Sequence, residues 1–289
     1  MDGRLAIIGG SKAYELLQSG AISGTKLGAQ KTPFGDSTPV HLIEIGGREA
    51  IFISRHGEQA YSCAAPWVNY RANIYALKEL GASAIVAWSG PGAMDTRYRV
   101  GQFVIPHDIV DETRSRPSSF FTGSGLGFLR MNQPFCPTLR NLLSTVLDEL
   151  GSDYCPDGVY VCTEGPRMET PAEIRKYRSY GGQLVGMTLA PEAFLARELE
   201  MCYATLCYVT NYAEGIRARK DAPDELFGGL LSKEEAESVD HAVKRFPRIV
   251  ELTGQKFGLE PRVCSCSSAM DRYRREGRIT GDWRSWIRA

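Results

Sequence analysis

The residues best able to do chemistry share one placement: each follows a run of apolar residues. Ser11 follows residues 5–8 and the pair Gly9-Gly10, Arg55-His56 follows residues 49–54, and Ser89-Gly90 follows residues 83–88. Residues 164–169, Met187-Thr188 and Asn211 follow later runs. Together they offer hydroxyls, a guanidinium fork, one imidazole and glycine backbone. That set suits a phosphate, which arginine grips in a plane while Ser, Thr and N–H groups complete the shell. It does not suit a metal, because no cluster of His and carboxylate accompanies it. Each residue alone has a plainer use: Ser11 caps a helix, His56 closes a strand, Asn211 turns the chain. The repetition carries the reading, because ligands of open α/β sheets bind beyond the strand ends.

Those strand ends require alternating strands and helices. Two β-rich runs, 40–45 and 49–54, flank Gly46-Gly47 as a hairpin. Residues 83–88, 102–106, 159–163 and 203–210 read as further strands. Leu139, Leu142, Leu143, Val146, Leu147 and Leu150 fall on one helical face over 137–150, and Gly151 follows. Residues 69–80, 171–180, 191–200 and 233–251 read as further helices. The pattern predicts an α/β fold with a largely central sheet, in a single domain over 1–289. A C-terminal helical tail begins at about residue 264, and beyond Asp271 it is Arg-rich and carries Trp283 and Trp286. Residues 214–232, rich in Gly, Asp and Lys, are expected to form a mobile lid.

Composition narrows the function. Of 289 residues, 34 are Lys or Arg and 34 Asp or Glu, so the formal net charge is zero. Nothing in that balance points to nucleic acid or an anionic membrane. No apolar run reaches the roughly 18 residues of a membrane span, and the start has no leader-like pattern. A cytoplasmic protein is expected. The 8 cysteines are scattered, and only Cys264-Ser265-Cys266 forms a close pair. That pair lacks a second half for zinc, so no metal is expected; free thiols, or a disulfide within the pair, are the readings left.

Ordered along the chain stand Thr32-Pro33-Phe34-Gly35, Arg55-His56-Gly57, Asn69-Tyr70-Arg71-Ala72-Asn73, Glu164-Gly165-Pro166-Arg167, Val185-Gly186-Met187-Thr188, Pro191-Glu192-Ala193 and Cys202-Tyr203-Ala204-Thr205. This series resembles the 5′-methylthioadenosine phosphorylases and, more broadly, the trimeric purine nucleoside phosphorylases, from about residue 5 to 270. The resemblance implies a three-layer α/β/α fold with a mixed twisted sheet, a homotrimer or dimer of trimers, and phosphate as co-substrate with no metal or organic cofactor. It implies a phosphate site of Ser11, Arg55, His56, Ser89, the Gly90 backbone and Thr188. The nucleoside would lie against Met168, Glu169, Val185 and Met187. Phe128 falls near the place where the family lends a side chain to the neighbouring subunit's sugar.

Base choice is the sharper inference. Family members acting on 6-aminopurines carry aspartate where this chain has Asn211; those acting on 6-oxopurines carry asparagine, together with a glutamate that matches Glu169 in Glu169-Thr170-Pro171-Ala172-Glu173. The physics agrees: an amide can donate to O6 or N7, a carboxylate can accept from N1–H, and a mismatched polar pair in a dry pocket is strongly rejected. Val239, with Ala242 and Val243 on the same helix face, stands where animal-type members place a histidine for the 5′-hydroxyl. An apolar contact there favours a methylthio group. The combination points to 5′-methylthioinosine, with methylthioadenosine or inosine and guanosine as alternatives. The family's Ser-Gly-Leu becomes Ser11-Lys12-Ala13, Glu58-Gln59-Ala60-Tyr61 replaces a second histidine, and Pro91 removes an N–H from the second loop. These departures leave a catalytically degenerate nucleoside-binding homologue as the reading from another class.

Overall fold

The computed structural model describes residues 3–10, 12–59, 62–218, 231–259 and 261–287. Its elements, in chain order, are β1 (Arg4–Gly9), α1 (Ala13–Gln18), β2 (Gly24–Thr32), β3 (Gly35–Ile45), β4 (Arg48–Ser54), α2 (Tyr70–Glu79), β5 (Ala82–Ser89), β6 (Gly92–Ala93), β7 (Phe103–Val104), β8 (Asp108–Glu112), α3 (Pro137–Glu149), β9 (Tyr154–Cys155), β10 (Val159–Thr163), α4 (Pro171–Ser179), β11 (Leu184–Gly186), α5 (Leu189–Glu198), β12 (Cys202–Tyr208), β13 (Asn211–Tyr212), α6 (Lys233–Lys256) and α7 (Asp271–Arg275). Helices start where the sequence offers caps. The Asn69 side chain accepts from the Ala72 N–H, and Thr170–Glu173 and Ser232–Glu235 form reciprocal capping boxes.

The large sheet runs β2-β3-β4-β1-β5-β12-β7-β9. Its centre, β4-β1-β5-β12, is parallel, and antiparallel strands extend it on both sides. Alternate residues of each central strand enter opposite cores. Ala6, Ile8, Ile53 and Ile85 pack with Ile74 and Leu77 of α2 and Leu195 of α5. Leu5, Ile7, Phe52 and Val86 pack with Leu139 and Leu143 of α3 and Val243 and Phe246 of α6. Burial on both faces is why these strands read as continuous apolar runs. The three layers expected from the sequence are present.

The expected mixed central sheet is present too, and a further sheet accompanies it. A second sheet, β13-β6-β11-β10-β8, stands apart from the first. Two of the crossings between them start from neighbouring parallel strands: β5 continues through Gly90-Pro91 into β6, and β12 continues through Val209-Thr210 into β13. Pro91 has no N–H for a ladder, so β5 cannot simply run on. Its carbonyl instead accepts from the Thr210 N–H at 3.0 Å, which holds the two crossings together.

The C-terminal segment folds back on α2. Trp283 meets the Tyr75 ring at 4.9 Å, Arg284 donates to both carboxylate oxygens of Glu79 at 2.6 and 2.7 Å, and Trp286 is buried. The basic tail is thus a packed cover rather than a free arm. Of the expected lid, residues 219–230 lie outside the described residues. Its near shoulder is anchored, with Arg217 over the Tyr212 ring at 3.7 Å and 3.5 Å from Glu235.

The hairpin turn offers a test of local strain. Gly46 and Gly47 both have positive φ, +59° and +71°, but a Cβ at Gly46 would lie 2.2 Å from the Gln255 backbone nitrogen, whereas Gly47 faces open space. Gly47→Ala should cost about 1–2 kcal/mol, the left-handed penalty alone. Gly46→Ala should cost clearly more, because α6 must also shift. Equal losses in urea unfolding would contradict this packing.

Candidate active site

Three adjacent parallel strands, β4, β1 and β5, end side by side at Arg55-His56, Gly9-Gly10 and Ser89-Gly90. The Arg55 N–H donates to the Gly9 carbonyl at 2.8 Å, which fixes the two loops together. A Cβ on Gly10 would sit 2.5 Å from the Trp88 carbonyl oxygen and 3.1 Å from Arg55 Nη1, so only glycine lets the first loop approach this closely. Ser11, placed in the phosphate site by resemblance, lies outside the described residues.

Arg55 is fully buried and held by a carboxylate that the sequence reading left without a role. Its Nε donates to Glu192 Oε1 and its Nη2 to Glu192 Oε2 at 2.8 Å. Tyr203 donates its hydroxyl to Glu192 Oε2 at 2.7 Å. Burial alone would lower the Arg55 pKa, but the Glu192 charge and hydrogen bonds hold it above its ordinary value. Arg55 is a permanent cation whose remaining edge, Nη1, lies beside Gly10 and 3.4 Å from the Trp88 carbonyl oxygen. Glu192 was visible as a carboxylate inside the otherwise apolar start of α5, a placement that demands a buried partner.

His56 is also buried. Its Nδ1 lies 2.8 Å from the Cys63 carbonyl oxygen, which can only accept, so Nδ1 carries the proton and Nε2 the lone pair. Burial first, then the Arg55 charge, pushes its pKa down to about 4. His56 is therefore neutral near pH 7.

The second sheet reaches the same place. Thr188 Oγ1 lies 3.3 Å from Ser89 Oγ, and Tyr160 Oη lies 3.1 Å from Ser89 Oγ. Two hydroxyls that the resemblance assigned to one phosphate site are in contact across the sheets. Arg116, which the sequence reading missed, sets the geometry behind them. Its Nη1 donates to the carbonyls of Met187 and Ala190 at 2.6 and 2.8 Å, and its Nη2 to those of Thr163 and Glu164 at 3.2 and 2.6 Å. One buried guanidinium therefore ties the Glu164 loop to the turn that carries Met187 and Thr188. Nothing local announces it, because residues 113–116 read as a polar loop.

Candidate base-site groups lie along one row of the second sheet, where Val161, Val185, Gly92 and Asn211 are register neighbours. Glu169 is buried and accepts from the Thr163 hydroxyl at 2.5 Å. Burial raises its pKa, against the opposing effect of that hydrogen bond. Asn211 Oδ1 accepts from the Thr210 hydroxyl at 2.8 Å, while Nδ2 donates to the Tyr212 carbonyl at 2.9 Å. These two bonds fix which way the amide faces and leave Nδ2 a second hydrogen to donate. Met187 packs its sulfur against Gly165, where a Cβ would come within 2.6 Å. Val185 is buried with Met94, Val161, Ile174 and Tyr177 beneath α4, while Met168 is 38% exposed beside Glu169.

Val239 faces inward on α6 with Ala242 and Val243, packed in the same core as Trp88. His241 points to the opposite face, into an open groove with Arg99, Asp153, Ser238 and Arg245. Phe128 is 81% exposed, and its N–H donates to Tyr273 Oη at 2.8 Å. Lys12 has a φ of +67°, and its Nζ lies 3.4 Å from Glu15, so its charge is partly met there.

Residues 4–252 match the family profile described as the phosphorylase superfamily. The chain belongs to the phosphorylase superfamily. The 6-oxopurine nucleoside phosphorylase of Pyrococcus furiosus is 40% identical to this phosphorylase over 274 residues, 92% of this chain and 97% of that one. A probable S-methyl-5′-thioinosine phosphorylase of Methanothermobacter thermautotrophicus is 46% identical over 224 residues, 77% of this chain and 76% of that one. These relatives place it among the purine nucleoside phosphorylases, which are pentosyltransferases. Methylthioadenosine phosphorylase from Schistosoma mansoni in complex with adenine shares the fold, with a TM-score of 0.78 at 24% identity, covering 93% of this chain and 96% of that one. Among the described residues no helix is long and apolar enough to cross a membrane.

The depressed His56 pKa makes a linkage prediction. In the unfolded chain the imidazole titrates near 6.5, and in the folded protein near 4. Between those values the unfolded state binds the extra proton, so stability is full above about 6.5 and is lost as pH falls toward 4. The slope approaches about 1.4 kcal/mol per pH unit. His56→Asn should remove that part of the acid sensitivity when urea unfolding is compared at about pH 7.5 and about pH 5; equal slopes would count against a buried neutral His56.

Proposed function

We propose that this phosphorylase cleaves the N-glycosidic bond of a 6-oxopurine nucleoside, 5′-methylthioinosine in preference, yielding hypoxanthine and 5-methylthioribose 1-phosphate. The observation that carries the reading is the Asn211 amide, oriented by Thr210 so that a nitrogen donor is on offer. The Nδ2 hydrogen that Tyr212 does not take complements O6 of a 6-oxopurine, where a 6-amino group would present a second donor instead. Glu169, buried and made more basic by burial, is suited to accept from N1–H.

In this mechanism the C1′–N9 bond breaks through an oxocarbenium-like state, and a phosphate oxygen forms the new bond to C1′. The electron pair of the broken bond goes to the purine, where hydrogen bonds from Asn211 and to Glu169 stabilise it until it takes up a proton. Phosphate would be held by Ser11, Ser89, Thr188 and the Nη1 edge of Arg55. Its negative charge stabilises the ribosyl cation. His56, neutral and fixed by the Cys63 carbonyl, orients phosphate through Nε2 and accepts from a protonated phosphate oxygen. The inward-facing Val239 supports an apolar 5′ site, and the outward His241 removes the nearest competitor for a 5′-hydroxyl.

The same reading includes a homotrimer in which Phe128 reaches the neighbouring subunit's sugar; its exposure supports that role. It also places the enzyme in cytoplasmic purine salvage, with phosphate as co-substrate and no organic cofactor. That none of the 8 cysteines is in a disulfide fits a reducing compartment.

Purine release should be measured from methylthioinosine, methylthioadenosine, inosine, guanosine and adenosine, with and without phosphate. The expectation is phosphate-dependent release from 6-oxopurines, fastest with methylthioinosine. Asn211→Asp should move the preference toward the 6-aminopurines by about tenfold or more, the net worth of one hydrogen bond. An unchanged ratio in that variant would overturn the base assignment. Phe128→Ala should raise KM for the nucleoside while leaving kcat and the oligomer mass near those of the parent; an unaltered KM would remove Phe128 from the sugar site.

A further inference from the structure

Four of the 8 cysteines, remote from one another in sequence, meet in space. Cys136, Cys202, Cys264 and Cys266 bring their sulfurs within 4.8 Å of one another, and three of the four are buried. The second half that the Cys264–Cys266 pair lacked in the sequence is Cys136 and Cys202, and the expectation of no metal rested on not seeing it. Cys136 is the N-cap residue of α3, Cys202 is the first residue of β12, and Cys264 and Cys266 lie on the segment after α6. Hydrogen bonds hold the three segments together. The Cys136 N–H donates to the Tyr203 carbonyl at 2.7 Å, and the Val263 N–H donates to Thr138 Oγ1 at 3.1 Å.

Cations surround the sulfurs. Arg262 Nε lies 3.1 Å from Cys264 Sγ and its Nη2 lies 3.3 Å from Cys202 Sγ, while Arg197 Nη1 lies 3.4 Å from Cys266 Sγ. A guanidinium can only donate, so these contacts favour thiolates over thiols. The N-terminus of α3 adds partial positive charge beside Cys136. Tetrahedral Zn–S bonds of about 2.3 Å would separate the sulfurs by roughly 3.8 Å, a spacing this cluster accommodates.

We propose that Cys136, Cys202, Cys264 and Cys266 bind one structural Zn²⁺. Four thiols release four protons as the ion enters, and the centre then carries a charge of 2−, which Arg197 and Arg262 balance. All four positions are filled by protein, so the ion has no open site for substrate or water. Its work is to fasten the segment beyond α6, and with it the packed C-terminal cover, to α3 and β12. The proposal does not depend on the nucleoside specificity.

The native protein, purified without chelator, should contain one zinc per chain by elemental mass spectrometry. A mercurial reagent should release that zinc to a chromogenic indicator. Protein prepared with Co²⁺ should show the intense visible bands of tetrahedral tetrathiolate cobalt, a readout that needs no variant. Cys136→Ser should lower zinc toward zero, whereas Cys155→Ser, outside the cluster, should retain it. Zinc-free protein with all its thiols titratable after denaturation would overturn the proposal. So would iron in place of zinc, or thiols missing from the count with the mass deficit of disulfides.

Discussion

The buried pair between Arg55 and Glu192 is the constraint around which the site is arranged. Two charges out of water are tolerable only because they meet in a bidentate fork and Tyr203 takes part of the remaining carboxylate capacity. Removing one partner of such a pair costs about 3–5 kcal/mol, since the other is left charged and unmatched. The pair therefore fixes the end of β4 against α5, and α5 begins directly after Thr188. Through it, the loop that carries His56 and the turn that carries Thr188 hold one relative position. Arg55 consequently has little freedom to reach for an anion. It serves best as a fixed positive floor, with ligand contact confined to the edge beside Gly10.

A second guanidinium does comparable work one layer away. Arg116 closes four backbone carbonyls around itself, from Thr163 and Glu164 on one side and Met187 and Ala190 on the other. Carbonyls without partners would be costly at this depth, and the irregular backbone at Ala190, with φ −100° and ψ 134°, leaves its own outside the helical ladder. The two arginines explain how loops from two sheets can be rigid where both sheets stop. The sheet crossing at Pro91 then has a purpose: it turns β5 away after Ser89, so that Ser89 and Gly90 face the junction instead of continuing a ladder.

What could be read in the sequence follows from whether the signal is local. The leucine face of α3 and the Gly46-Gly47 turn depend on neighbours in sequence, and both stand as read. The strand ends carrying Arg55 and Ser89 were legible because central strands buried on both faces are apolar throughout. β2 was missed because Gly24–Thr32 is mostly exposed and polar, and its place is set by pairing with β3. β8, Asp108–Glu112, fails for the same reason. The division into two sheets was invisible because no propensity encodes a crossing. Arg116 and the four-cysteine cluster were invisible because their partners come from distant segments, and spacing rules apply only to ligands supplied by one stretch of chain.

Lys12 shows how a local departure can keep a global requirement. The family pattern places glycine after the first-loop hydroxyl, and glycine adopts positive φ without penalty. This chain has lysine there, yet the backbone still takes φ +67°. A side chain in that region costs roughly 1–2 kcal/mol, so relaxation to an ordinary turn would be favourable if the loop were free to relax. It is not free. Gly9 leaves no room against Ala13, with a Cβ there falling 2.3 Å from the Ala13 Cβ, and Gly10 is pressed against the Trp88 carbonyl. The Ala13 N–H closes back onto the Gly10 carbonyl at 3.1 Å. Packing on both sides dictates the loop's path, the lysine accepts the strain, and its charge is turned toward Glu15.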